Sequence, residues 1–169
     1  MHNQDMKKLA SIIVALTIAL SSNVTAGDFS ASLGNFAFSD SKKHAGMLDV
    51  NYNFTEKNVD TFVGVIRPQA GVLLTNRLSS MLYAGVYTNY KISYFNITPS
   101  FTPGLYSKGE GKRGKDLGSI FQMKSQLNVG LNFDKFSSFN LGYSHISNGG
   151  IGKNNPGANS YTLNFLKQF

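Results

Sequence analysis

The 169-residue chain contains no cysteine, which excludes a disulfide scaffold and a Cys-ligated metal site. Charged residues are scarce at 15%, where a soluble domain has about 25%. Hydrophobic residues, at 41%, do not make up the difference. No apolar run approaches the ~18 residues of a membrane-spanning helix. From Gly27 onward no stretch spaces its apolar residues three and four apart, so an amphipathic helical fold is excluded as well. A low charge content with apolar residues spread singly fits a β-barrel.

The first 26 residues read as an export signal. Lys7 and Lys8 precede the apolar run Leu9 to Leu20, and Val24-Thr25-Ala26 supplies a small-residue cleavage site. Cleavage after Ala26 leaves residues 27–169 as one barrel domain. It also removes Lys7, Lys8 and Asp5, so the remaining chain carries a net charge of +6. A cationic exported protein is suited to lipid phosphates rather than to nucleic acid.

The rest of the chain alternates with period two. Leu48, Val50, Tyr52 and Phe54 are one such row, Leu127, Val129, Leu131 and Phe133 another, and Tyr161, Leu163, Phe165 and Phe169 a third. Turn signals divide the chain into eight expected strands, near 28–39, 46–55, 62–74, 80–91, 94–103, 118–133, 138–148 and 159–169. An even count and an aromatic last residue fit an eight-stranded antiparallel transmembrane β-barrel of a bacterial outer membrane. A soluble barrel leaves the apolar outward rows without a second sheet to cover them. Joins such as 75–78 and 134–137 are short, and 104–118 is long and basic, which predicts short turns on one rim and long loops on the other. With both termini in the periplasm, 104–118 is the third external loop and 149–158 the fourth. Lys108, Lys112, Arg113 and Lys115 then stand at the level of lipopolysaccharide phosphates, where each cation adds ~1 kcal/mol of attraction to an anionic surface. The alternative is a solvated loop.

Chemistry converges near the end of the chain. His2 lies in the export segment and His44 in a polar turn, leaving His145 at the outward end of the seventh strand. Residues two apart in a strand share a face at ~6.6 Å, so His145 and Ser147 can act as base and nucleophile. Their parity is that of Phe139, Leu141 and Tyr143, so the pair faces lipid rather than the lumen. Asn148, Gly149 and Gly150 follow, offering backbone N–H groups where an oxyanion needs donors.

The segment His145-x-Ser147-Asn148-x-Gly150, with Asn155-Pro156-Gly157 and the closing strand Tyr161 to Phe169, resembles the PagL-type lipid A 3-O-deacylases. The specific motif occupies the final 25 residues; elsewhere the likeness is one of length and eight-strand layout. The resemblance implies that His145 is the general base and Ser147 the nucleophile on the 3-position ester of lipid A, releasing a 3-hydroxy fatty acid. The backbone at Asn148 and Gly150 is implied as the oxyanion hole. One departure matters: the family's glutamate, 14 residues after the histidine, is here Asn159, whose carboxamide can orient the imidazole but cannot stabilise imidazolium by charge. A catalytically weak or inactive barrel with a structural or adhesive role is therefore the alternative. A soluble eight-stranded lipid carrier is the third reading and requires an apolar lumen.

No cofactor follows from any motif, and no converging oxygens or imidazoles indicate a metal. Gly109 to Lys115 nearly spells a phosphate-binding loop, but Asp116 replaces the required Ser or Thr. The glycosylation-like triplets at Asn53 and Asn96 fall within strands.

Overall fold

A computed structural model describes residues 27–109 and 114–168, with the backbone alone at Gln168. Among them there is no helix. The strands are β1 (Gly27–Phe36), β2 (Ala45–Phe54), β3 (Val59–Thr61), β4 (Gly64–Thr75), β5 (Ser80–Tyr87), β6 (Tyr90–Ile92), β7 (Phe95–Ser107), β8 (Phe121–Asn132), β9 (Ser137–Ser147) and β10 (Ala158–Gln168). Eight of them close a ring of antiparallel ladders in the order β1-β2-β4-β5-β7-β8-β9-β10, with β10 paired back to β1. Closure leaves no sheet edge, the condition under which strands can cross a bilayer.

The short strand β6 belongs to an expected longer one, whereas β3 forms in the expected join at 56–61. Tyr87 pairs with Ser100 and Tyr90 with Ile97 in the same register, so β5 and β6 are one strand interrupted at Thr88 and Asn89. β3 rejoins β4 out of step with β2, because residues 55–58 bulge between the two pairings. Strand β7 runs to Ser107, beyond the expected end at 103, because Gly104 still pairs with Gln122 and Leu105 with Phe121. A Cβ at Gly104 meets Leu82 O at 2.3 Å, so only glycine permits that approach of β5 to β7.

Both described ends, Gly27 and Gln168, lie on one rim and are adjacent in the β1–β10 ladder. Residues 37–44, 76–79, 108–120 and 148–157 therefore connect strands at the far rim. The expectation of short turns on one rim only is corrected here. The four-residue 76–79 turn sits beside the long loops, and the terminal rim carries the β3–β4 and β6–β7 hairpins. Thr75 permits the tight turn: its hydroxyl accepts from Ser79 N–H at 2.9 Å, and its own N–H donates to Ser79 O at 2.9 Å.

The two faces of the wall have opposite chemistry. Leu127, Val129, Leu131, Leu163 and Phe165 point outward, with Leu127 45% and Leu163 55% exposed. Inside, Lys124 and Asp49 are 2% and 1% exposed and form an ion pair. Tyr83 donates its hydroxyl to the same carboxylate at 2.5 Å, and the lysine ammonium lies 4.1 Å from that tyrosine's ring centroid. Such a pair is tolerated in a low-dielectric interior because each charge keeps its partner and further contacts. Toward the far rim the lumen becomes apolar, closed by Phe36, Met47, Leu73, Met81, Tyr106 and Ile146. A polar lumen inside an apolar exterior overturns the soluble lipid-carrier reading, whose cargo needs the reverse.

Candidate active site

Strands β8, β9 and β10 bring the site together on the outer face near the far rim. Register places His145 between Ser125 of β8 and Asn159 of β10, while Ser147 stands opposite Met123. His145 is exposed, and Ser147 and Asn159 are half-buried. The imidazole Nδ1 lies 2.7 Å from Asn159 Oδ1. With that oxygen accepting, the ring proton resides on Nδ1, and Nε2 keeps its lone pair. The structure thus brings His145 and Asn159 into contact and sets Ser147 two residues along the same face. These side chains share the outer face of the wall with Phe139, Leu141 and Tyr143.

Beneath the ring is Gly157, at φ +60°. A Cβ there meets His145 Cε1 at 3.0 Å and Nε2 at 3.6 Å. Two requirements converge on glycine at this position: the left-handed backbone, and a flat seat for the imidazole. The sequence reading included Gly157 in a motif but gave it no task.

After Ser147 the chain leaves the sheet through a corner built on Asn148, whose side chain is fully buried. Its amide donates to Leu117 O at 3.0 Å and to Asn154 O at 2.7 Å, tying the loop before β8 to the loop after β9. Its Oδ1 accepts from Gly150 N–H at 2.9 Å. The N–H of Asn148 donates to Asn155 Oδ1 at 3.0 Å. Both backbone donors named from the sequence are therefore satisfied by carboxamide oxygens. Gly149 and Gly150 have φ of +62° and +84°, and a Cβ at Gly150 meets nothing within 4 Å, so this corner is open on its outer side.

The described cations of the basic loop have partners within the far-rim loops. Lys115 pairs with Asp40 at 2.7 Å, with its side chain largely covered, and Lys43 donates to Gly114 O at 3.2 Å. Lys108 pairs with Asp116 at 3.1 Å and remains exposed. Lys108 and Lys115 thus each have a carboxylate partner in the far-rim loops. Lys112 and Arg113 lie outside the described residues. The Lys115 ammonium, with the N–H groups of Lys42 and Lys43, holds the Asp40 carboxyl below the usual carboxylate range. His44 closes the 37–44 turn through its backbone, donating to Asp40 O at 2.9 Å. Among the described residues no three His, Cys, Asp or Glu side chains converge on a metal position.

A family model described as lipid A 3-O-deacylase (PagL) matches residues 29–167. Among solved structures, the outer membrane enzyme PagL superposes with a TM-score of 0.60 at 20% identity, covering 84% of this chain and 99% of that one. Neisserial surface protein A superposes with a TM-score of 0.56 at 8% identity, covering 85% and 96%. No match was found among curated proteins. At these identities the two superpositions speak to the outer-membrane barrel fold.

Proposed function

We propose, from the premise that this chain belongs to the lipid A 3-O-deacylase (PagL) family, that it is a serine esterase removing the 3-position acyl chain of lipid A at the outer face of its barrel. The observation that carries this reading is the 2.7 Å contact between His145 Nδ1 and Asn159 Oδ1, which leaves Nε2 basic on the face that Ser147 shares.

In this scheme Ser147 Oγ attacks the ester carbonyl as its proton passes to His145 Nε2. The carbonyl oxygen becomes an anion and takes the N–H groups of Asn148 and Gly150, displacing the carboxamide oxygens that hold them at rest. The C–O bond then breaks, and the sugar hydroxyl leaves with the proton held by His145. Water attacks the acyl-serine, again losing its proton to His145, and the free fatty acid departs as Ser147 regains its hydrogen. Asn159 orients the ring throughout. Lipopolysaccharide is the partner, and the acyl chain stays beside the apolar outer wall. Residues 1–26 serve export and are absent from the working enzyme.

The test is mass spectrometry of lipid A from cells expressing this chain beside cells expressing Ser147→Ala. Loss of one 3-hydroxyacyl mass with the intact chain alone supports the reading. An unchanged spectrum from well-inserted protein favours the weak or inactive barrel, a reading that the amide at position 159 keeps in play.

A further inference from the structure

Strand β1 sends alternate residues to the two faces of the wall, with Ser30, Ser32 and Phe36 buried on the lumenal side and Leu33 exposed on the outer side. Continued alternation puts Phe38 in the lumen. The structure puts it outside, with its ring centroid 4.3 Å from that of Tyr161, an outward residue of β10. The reversal occurs at Ala37, a buried residue at φ +53°. Asn35 pairs with Tyr161, so an unbroken ladder sets Ala37 opposite Asn159, yet it is the N–H of Phe38 that donates to Asn159 O, at 3.1 Å. One extra residue is thus inserted at the end of β1, a bulge of the kind that re-aims a side chain at a barrel rim. A left-handed alanine is disfavoured, and such strain persists only where the surroundings hold it in place.

Resting on the hydrolase reading of the same site, the geometry points to Phe38 as a positioning residue that holds Asn159 in place against His145. The bulge extends a row across the outer wall, with Phe38 beside Asn159 and Asn159 paired with His145. Two contacts fix the start of β10 from the β1 side. The carbonyl of Asn159 is tied to the Phe38 backbone, and the next outward residue, Tyr161, is held between the ring of Phe38 and that of Tyr143, 5.4 Å away on β9. The carboxamide oxygen of the residue so fixed goes to His145 Nδ1, at 2.7 Å. Fixing of this kind matters more for an amide than for a carboxylate. A full charge attracts a protonated ring over a distance, whereas a neutral hydrogen bond weakens steeply once its length or angle is lost.

The strand order β1-β10-β9-β8 sets Phe38 on the side of Asn159 away from Ser147. Its loss therefore acts on the imidazole rather than on substrate binding, and kcat falls while KM is unchanged. The strength of one aromatic pair bounds the effect of Phe38→Ala at roughly two- to tenfold. In Asn159→Asp the same truncation costs less, because charge supplies the orientation. In Asn159→Ala it costs nothing further, because no carboxamide remains to be held. A ring that served stability alone lowers the rate by one common factor in all three backgrounds.

The experiment measures kcat and KM for fatty-acid release from lipid A in mixed micelles, with Phe38→Ala made in the parent, in Asn159→Asp and in Asn159→Ala. Phe38→Tyr keeps a ring and Ala37→Gly keeps the left-handed turn, so both retain the parent kcat. A second readout needs no turnover. In NMR of micellar protein labelled at the histidine ring nitrogens, His145, identified by its loss in His145→Gln, shows the Nδ1–H tautomer in the parent and a mixture of tautomers in Phe38→Ala. A tautomer unchanged in Phe38→Ala overturns the inference, as does an equal fractional loss of kcat in all three backgrounds. If no fatty acid is released yet the tautomer depends on Phe38, the hydrolase reading falls and the positioning role stands. If neither release nor that dependence is seen, both fall.

Discussion

Replacing Asn159 by aspartate is expected to accelerate turnover while leaving the site's geometry in place. Asn159 Oδ1 already sits 2.7 Å from His145 Nδ1, and an aspartate oxygen can occupy the same point. When His145 takes the serine proton, the amide offers the new imidazolium a dipole, whereas the carboxylate offers a full charge. Two unit charges ~4 Å apart interact by about 4 kcal/mol at an effective dielectric constant of 20. Exposure of His145 and partial exposure of Asn159 reduce this to about 1–3 kcal/mol, roughly 10–100-fold in kcat. The gain is smaller than the ~10⁴-fold seen when a serine-triad carboxylate is exchanged for its amide, because that exchange also sets the wrong tautomer, and here the tautomer is already right. Asn159→Glu supplies the same charge on a longer arm that must fold back, and gains less. The assay is fatty-acid release from lipid A in mixed micelles across pH. An Asn159→Asp variant that inserts normally and is no faster than the parent refutes the electrostatic reasoning, and an Asn159→Leu variant of undiminished rate refutes the orienting role.

Three further outcomes are expected. Gly157→Ala puts a methyl 3.0 Å from His145 Cε1 at a left-handed φ; backbone strain costs about 1–2 kcal/mol, and a displaced ring lowers kcat by about 10²-fold, read by denaturant titration and the lipid A assay. Lys124→Met leaves Asp49 buried without its cation and costs about 3–5 kcal/mol, whereas Lys124→Met/Asp49→Leu recovers much of the loss, as measured by unfolding in detergent. The Asp40 carboxyl is held below its usual range, so its pairing with Lys115 stabilises the folded loops above about pH 4 and is lost as pH falls through the lowered value. Amide protection factors at residues 114–117 should fall over that acid range in the parent chain and show no such step in Asp40→Asn.

The strands and their facing were legible in the sequence because a lipid-facing wall forces period two on every crossing, and each row is a local property. The parity that set His145 and Ser147 outward is likewise local. The break at residues 88–89 was hidden, since the alternating pattern resumes after it and only the register with β7 exposes it; β3, inside the expected join at 56–61, shows itself only in its pairing with β4. Asn159 was found through a spacing of 14, and the structure adds that β9 and β10 pair those two residues directly. Composition located the basic loop but not the partners of its cations: Lys115 pairs with Asp40, 75 residues away in sequence and brought close only by barrel closure, and Lys108 with Asp116. The buried carboxamide of Asn148 was illegible for the same reason, as its partners come from two loops.

The interior shows why a lipid-directed site belongs on the outside of this barrel. Ser30, Asn51, Tyr83, Lys124, Gln126 and Asn140 border a lumenal space of about 20 Å³, room for roughly one water. Above it the apolar side chains of Phe36, Met47, Leu73, Met81 and Ile146 close the far end. An acyl chain cannot enter, and Lys124 with Asp49 makes the lumen a poor solvent for one. The outer wall imposes no such cost, because a chain lying on Leu127 and Val129 exchanges lipid neighbours for protein neighbours of equal polarity. In the proposed reaction the site then has only to bring an ester at the membrane surface to Ser147. The wall supplies that alignment, since the β9 row carrying His145 and Ser147 continues into Tyr143, Leu141 and Phe139 below.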